Sequence, residues 1–318
     1  MQTHIHPPGS ARLIPLLLIL LLTLPACRAP QPATNPDTLN VVATSTLVAD
    51  VVRQVGGDAI NLTTLMPIGS DPHNYQPVPQ DISAVARADL VFVNGLGFEA
   101  FLDDLIANAG GQARVVVVSD GITPLTLADE THQEAAADHD HGETDPHVWF
   151  DPQNVIIWTQ NVAAALSGMD AAHADVYQQN AAAYERQLRE LDAWIDTQVA
   201  LIPAAQRVIV TDHDALGYFI HRYGFQLAGA VIPAFSTAAA PSAQELAALQ
   251  TAIGARDVRA IFVNVTVNSN VAAQIAADTG IQLVPIYTGS LSDGEGNAGT
   301  YLDFMRYDVT QIVRTLQP

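Results

Sequence analysis

Tyr177, Ala181, Tyr184, Leu188, Leu191 and Ile195 recur at steps of four and three. This spacing predicts a long helix within 171–202 carrying one continuous apolar seam and ending before Pro203. The seam lasts under three heptads, so a helix packed into a globular core is a better reading than a coiled coil. On both sides of it short apolar runs alternate with helical periods, the pattern of an α/β fold. Strands are predicted at 39–45, 60–66, 89–94 and 114–119, and again at 207–212, 226–232, 258–264 and 281–287. Helices are predicted at 79–88, at 98–109 with Gly110 as its stop, and at 243–253 behind a capping box of Ser242 and Glu245. Thr300 with Asp303 looks like a second such box, opening a last helix. The expected fold is two β/α lobes, 38–170 and 203–318, with mainly parallel sheets, joined by the rigid helix 171–202.

The first residues do not belong to that pattern. Arg12 is the only charged side chain before the apolar run 13–24, which is short for a membrane span and suits the core of a signal peptide. The run leads into LPAC, whose cysteine, Cys27, is the only one in the chain and resembles a lipobox cysteine. Residues 1–27 are therefore expected to be a signal peptide, with Cys27 lipidated, and 28–37 a tether. The mature protein is then exported, to the periplasm or the outer face of the cytoplasmic membrane, and keeps no thiolate for disulfides or metal. The formal net charge is −20 and every basic residue is arginine. Such a chain repels nucleic acid and anionic lipid, which excludes the first as a partner.

Three histidines fall where an α/β protein places its ligands, beyond the carboxyl ends of strands. His73, in DPHNYQP, follows the second predicted strand; His147, in DPHVWFDP, lies in the long segment after the fourth; His213, in TDHDALGYF, directly follows the fifth. The loop 288–300 follows the eighth. Pro72, Pro77 and Pro79 bracket His73, and Pro146 and Pro152 bracket His147, so both loops have little freedom left to lose on binding. Asp71, Asp145, Asp212 and Asp214 adjoin the three histidines and could orient an imidazole through its second nitrogen. Residues 148–150 are expected to anchor His147 to the first lobe. A metal site in the cleft between the lobes, built from His73, His147 and His213, follows. His132, His139 and His141 sit instead among acidic residues in the loop 129–147, as a flexible metal-collecting tract or a solvated loop.

With DPHNYQP, NGLGFE at 94–99, the histidine-rich loop before DPHVWFDP, TDHDALGYF, and YTGSLSDGEGNAGTYLDFMRYDV at 287–309, the chain resembles the metal-binding lipoproteins of bacterial zinc/manganese ABC importers, the cluster A-I solute-binding proteins. The resemblance runs from about residue 38 to the carboxyl end. It implies a non-enzymatic protein that captures a divalent transition metal and delivers it to a membrane permease, with His73, His147 and His213 at the family's three histidine ligand positions; a monomer is expected. Many family members carry an aspartate where this chain has Gly289. Asp293, Glu295 or a water molecule is left to complete the shell. Three imidazoles with at most one carboxylate favour Zn2+ over Mn2+.

An exported zinc-dependent hydrolase using the same histidines is the alternative, since three histidines plus water also describe a catalytic zinc site. The chain has neither H-E-x-x-H nor G-x-S-x-G to support it. A surface adhesin of the same fold is not separable by sequence.

Overall fold

The computed structural model describes residues 1–4, 38–110, 113–126 and 144–318. Cys27, the expected tether, and His132, His139 and His141 lie outside the described residues. The chain divides into Met1–Pro36 and Asp37–Pro318, and both sheets belong to the second unit.

The first sheet contains β1 (Leu39–Ala43), β2 (Ile60–Thr64), β3 (Leu90–Val93) and β4 (Arg114–Val117) in the order β2-β1-β3-β4. The second contains β5 (Val208–His213), β6 (Gln226–Ile232), β7 (Ala260–Asn264) and β8 (Gln282–Ile286) in the order β6-β5-β7-β8. All pairings are parallel, and the two orders are the same. In each sheet the chain runs outward from the first strand and then returns past it. The crevice where direction reverses therefore lies at the carboxyl ends of β1 and β3, and of β5 and β7. His213 is the last residue of β5.

The helices are α1 (Thr46–Gly56), α2 (Pro79–Ala86), α3 (Leu102–Ala109), α4 (Pro152–Met169), α5 (Ala174–Val199), α6 (Gly217–Tyr223), α7 (Ala243–Ala255), α8 (Asn270–Thr279) and α9 (Tyr301–Leu316). Strand alternation assigns them to layers. Val42, Val91 and Val93 point outward to pack with Val85 and Leu105 of α2 and α3. Val210, Ile261 and Val263 do the same with Leu249 of α7 and Ile275 of α8. The opposite faces, through Val41, Phe92, Ile209 and Phe262, enter one core shared by both lobes with α1, α4, α5 and α9. Parallel strands buried on both faces account for their nearly continuous apolar sequences. A core running through both lobes disfavours independent domain motion.

All six seam residues of α5 are buried in that shared core. The same helix carries one buried charge, Asp192, whose partners tie three helices together. Its Oδ2 accepts from Arg222 Nη2 of α6 at 2.6 Å and from Gln153 Nε2 of α4 at 2.7 Å, and its Oδ1 accepts from Tyr223 Oη at 2.8 Å.

Local signals behave as their chemistry dictates, with two exceptions. Ser242 and Glu245 form the reciprocal capping box. Thr300 caps α9 by accepting from the Asp303 amide at 3.2 Å, but its partner bond runs hydroxyl to carboxylate, so the box is only half formed. The first free amide of α9, Tyr301 N, instead donates to Asp50 of α1 at 2.9 Å. The helix expected at 98–109 begins later, at Leu102, because Gly95, Leu96 and Gly97 all take positive φ and wind a tight turn. Glu99 holds that turn, its carboxylate accepting from the amides of Asn94 and Gly95 and from the Thr44 hydroxyl.

Asp192→Ala would leave Tyr223 without its acceptor and Arg222 with only the longer contact to Asp151 at 3.7 Å, and is expected to destabilise the protein by about 2–4 kcal/mol in denaturant unfolding. Asp192→Asn, which keeps an acceptor oxygen, is expected to recover part of that loss. A change within about 0.5 kcal/mol for Asp192→Ala would show the cluster to be dispensable.

Candidate metal centre

The three histidines come from three different strand ends. His73 sits in the single 3-10 turn Pro72–Asn74 after β2, His147 leads into the turn Val148–Phe150 after β4, and His213 closes β5. One ring nitrogen from each lies within 4.8 Å of those of the other two, and among the described residues they form the one group of this kind. His73 Nε2 and His147 Nε2 are 3.2 Å apart. Two nitrogens bound to one tetrahedral zinc at ~2.0–2.1 Å would stand about 3.3 Å apart, so this pair is already spaced to share an ion. His147 and His213 are buried; His73 is partly so.

The neighbouring aspartates divide into two kinds. Asp145 Oδ1 accepts from both the backbone amide and Nδ1 of His147, each at 2.8 Å. Asp212 Oδ1 accepts in the same way from the amide and Nδ1 of His213, each at 2.9 Å, while its Oδ2 accepts from the amide of Asn264 at the end of β7. A carboxylate can only accept here, so Nδ1 carries the hydrogen in both rings. Nε2, with its lone pair, faces the cluster. Asp71 differs from this expectation. It accepts from the His73 backbone amide at 3.1 Å, not from the ring, and its other oxygen accepts from Asn74 Nδ2 at 2.7 Å and Thr237 Oγ1 at 2.6 Å.

Burial sets the protonation state of two rings. It pushes His73 down to about 3, helped by the neighbouring His147 and His213, and holds His147 well below its ordinary value. Burial acts on His213 in the same direction, but the Asp212 carboxylate against its Nδ1, with Asp214 and Asp71 farther off, outweighs it and raises this imidazole above 6.5. The cluster thus holds two imidazoles that stay neutral well below the ordinary range and a third, His213, that takes up a proton more readily.

Aromatic rings wall the cluster. Phe98 meets His73 edge-on at 5.5 Å and Trp149 at 5.1 Å; Trp149 lies 5.2 Å from His147 and Phe235 lies 6.5 Å from it. Residues 148–150 do not anchor His147 to the first lobe alone. Trp149 Nε1 donates to the Thr288 carbonyl at 2.9 Å, its own carbonyl accepts from Tyr301 Oη at 2.7 Å, and Phe150 packs on Phe304 at 5.6 Å, all three partners belonging to the second half of the chain. Phe98 and Phe235 were missed as site residues. Only the strand-end position of the NGLGFE turn could have pointed to the first.

The loop 288–300 reaches the site without donating a carboxylate to it. Asp293 and Glu295 are exposed and outside the histidine group, with Asp293 Oδ1 accepting the amides of Glu295 and Gly296. Gly289 packs on the ring of Pro72: a Cβ built there would lie 2.8 Å from Pro72 Cγ and 3.0 Å from Cδ. A side chain at 289 would push on the turn that carries His73.

The family described as zinc-uptake complex component A, periplasmic (ZnuA) matches residues 41–315. The manganese-binding lipoprotein MntA of Halalkalibacterium halodurans is 32% identical over 303 residues, covering 94% of this chain and 96% of the relative. Among solved structures, the periplasmic zinc binding protein TroA from Treponema pallidum superposes with a TM-score of 0.79 at 28% identity, over 88% of this chain and all of that one. The Mn-bound periplasmic metal binding protein from Candidatus Liberibacter asiaticus gives 0.76 at 27% identity, over 87% and 98%. All of these are named for taking up or binding a metal, and the hydrolase alternative finds no support among them. The chain belongs to the zinc-uptake component A family, the extracytoplasmic metal-binding subunits of ABC importers, and is not an enzyme.

Proposed function

We propose that this protein captures zinc outside the cytoplasmic membrane through Nε2 of His73, His147 and His213 and surrenders it to the permease of an ABC importer. In this reading it works as a monomer tethered by a lipid on Cys27. The observation that carries the proposal is the donor set: three imidazoles converge, and among the described residues no carboxylate joins them. Imidazole nitrogen in a shell of four suits zinc, whereas manganese favours oxygen-rich shells of six. Relatives named for manganese share the fold, so the fold by itself does not choose the metal. The ligands do. Asp145 and Asp212 orient two of the three rings before the ion arrives, which removes part of the ordering cost of binding. Water supplies a fourth donor more readily than Asp293 or Glu295, whose side chains are turned to solvent.

Elemental analysis of the exported chain lacking residues 127–143 is expected to find about one zinc per molecule. His213→Ala is expected to weaken zinc binding by at least about a hundredfold. Undiminished binding in that variant would refute the site, and preferential retention of manganese from an equimolar mixture would refute the choice of metal.

The pH dependence follows from His213. The Asp212 carboxylate raises its folded value above the ordinary imidazole range, so below that value the metal-free protein carries a proton there that zinc must displace. Affinity is therefore full above that value and falls as pH drops through it, by roughly tenfold per unit for one displaced proton. His73 and His147 are neutral well below this range and add no further slope. Calorimetric titration between pH 8 and 5.5 checks this: a slope of two or three protons would show that all three rings compete with hydrogen ion.

A further inference from the structure

His147 and His213 are buried and His73 partly so, and the flanks of the His73 turn differ sharply. Where Pro72 meets Gly289 there is no room for a methyl group. Phe98, Trp149 and Phe235 pack around the rings. Asp71 and Asn74 of the same turn instead line a cavity of about 410 Å³. Its other walls include Asp212, which holds His213, and Thr237, Thr266 and Ser269 from the loops after β6 and β7. None of the three histidines lines this space, but it reaches the residues on either side of His73 and the carboxylate that holds His213, and it is large enough for a hydrated ion.

One hydrogen-bonded bridge joins the two lobes along that cavity. Thr237 Oγ1 donates to Asp71 Oδ2 at 2.6 Å; Asn74 Nδ2 donates to the same oxygen at 2.7 Å and to Thr237 Oγ1 at 3.2 Å. Unlike Asp145 and Asp212, Asp71 makes no bond to an imidazole ring. Its carboxylate looks into the cavity walls and holds the turn through the His73 amide.

We propose that this cavity is the vestibule through which a hydrated divalent cation reaches His73, His147 and His213, and that the Asp71–Thr237 hydrogen bond is its gate. The inference rests on the reading of those histidines as the cargo site. A cation arriving in the cavity is attracted by the Asp71 carboxylate and competes with the Thr237 hydroxyl for Oδ2. The bridge parts and the second-lobe loop moves off the turn. Once the ion has passed to the imidazoles, Asp71 recovers Thr237 and the vestibule closes. Asp71 is thus a positioning residue and no permanent ligand. The strongly negative protein concentrates cations at such an opening.

Stopped-flow mixing of the metal-free protein with zinc, and of the zinc-loaded protein with a chelator, reads both rate constants. Thr237→Val removes the hydroxyl and keeps the shape. Since a hydrogen bond to a charged acceptor is lost, association and dissociation are both expected to accelerate by about tenfold, with Kd held within about threefold. Unchanged rates, or a rise in dissociation alone, would overturn the gate. Ser269→Trp places an indole in the cavity and is expected to slow association by about tenfold or more at unaltered Kd; association at the wild-type rate would overturn the vestibule. Should that variant not fold, Val267→Trp, on the same wall, takes its place with the same expectation. Wild-type protein that fails to bind zinc at all would refute the histidine site itself, a result the equilibrium metal analysis registers separately.

Discussion

The burial of Trp149 between the two halves of the chain is the interaction on which the rest depends. Its ring touches Phe98 and Trp158 on one side, its Nε1 reaches the Thr288 carbonyl on the other, and its own carbonyl is held by Tyr301. A buried tryptophan with its N–H satisfied contributes several times what a small apolar residue can. It stands two residues after His147, so the segment that presents this imidazole is fixed from both lobes at once. The shared core around α4 and α5 then gives the wedge a rigid frame, with Asp192 pinning the helices where the seam alone would let them slide.

The near-equivalence of the lobes explains why the candidate site lies where it does. Two parallel sheets with the same strand order each open a crevice at the carboxyl ends of their strands, and the shared core faces these crevices toward each other. From the second lobe His213 arrives as the last residue of a strand, needing no loop to place it. From the first, two loops bring His73 and His147, stiffened by their prolines. One carboxylate oxygen bound to both the amide and Nδ1 of the same histidine recurs at Asp145 and Asp212, although the two stand at different offsets from their histidines.

Much of this was legible in the sequence, because it is written in short-range patterns. Strand and helix alternation, the α5 seam and the Ser242–Glu245 capping box depend on residues a few positions apart, and boundaries shifted only by a residue or two at most strand ends. His73, His147 and His213 stood out because each follows a predicted strand. What escaped depends on contacts across the chain. The positive φ of Leu96 delays α3 and frees Phe98 to meet His73. Trp149 reads as one more apolar residue until Thr288 and Tyr301 are seen against it. Asp71 looks like Asp145 in its DPH motif, yet a threonine 166 positions away takes its second oxygen. The contact of Gly289 with Pro72, likewise, has no local sequence signal.

The central claim is that three imidazoles and no protein carboxylate hold the ion. X-ray absorption at the zinc edge, on protein loaded with less than one equivalent of zinc, tests it most directly. The account predicts three imidazole shells with nitrogen at ~2.0–2.1 Å and one further light donor from water. A shell with fewer than three imidazoles, or one that changes when Asp293 and Glu295 are both replaced by alanine, would contradict it.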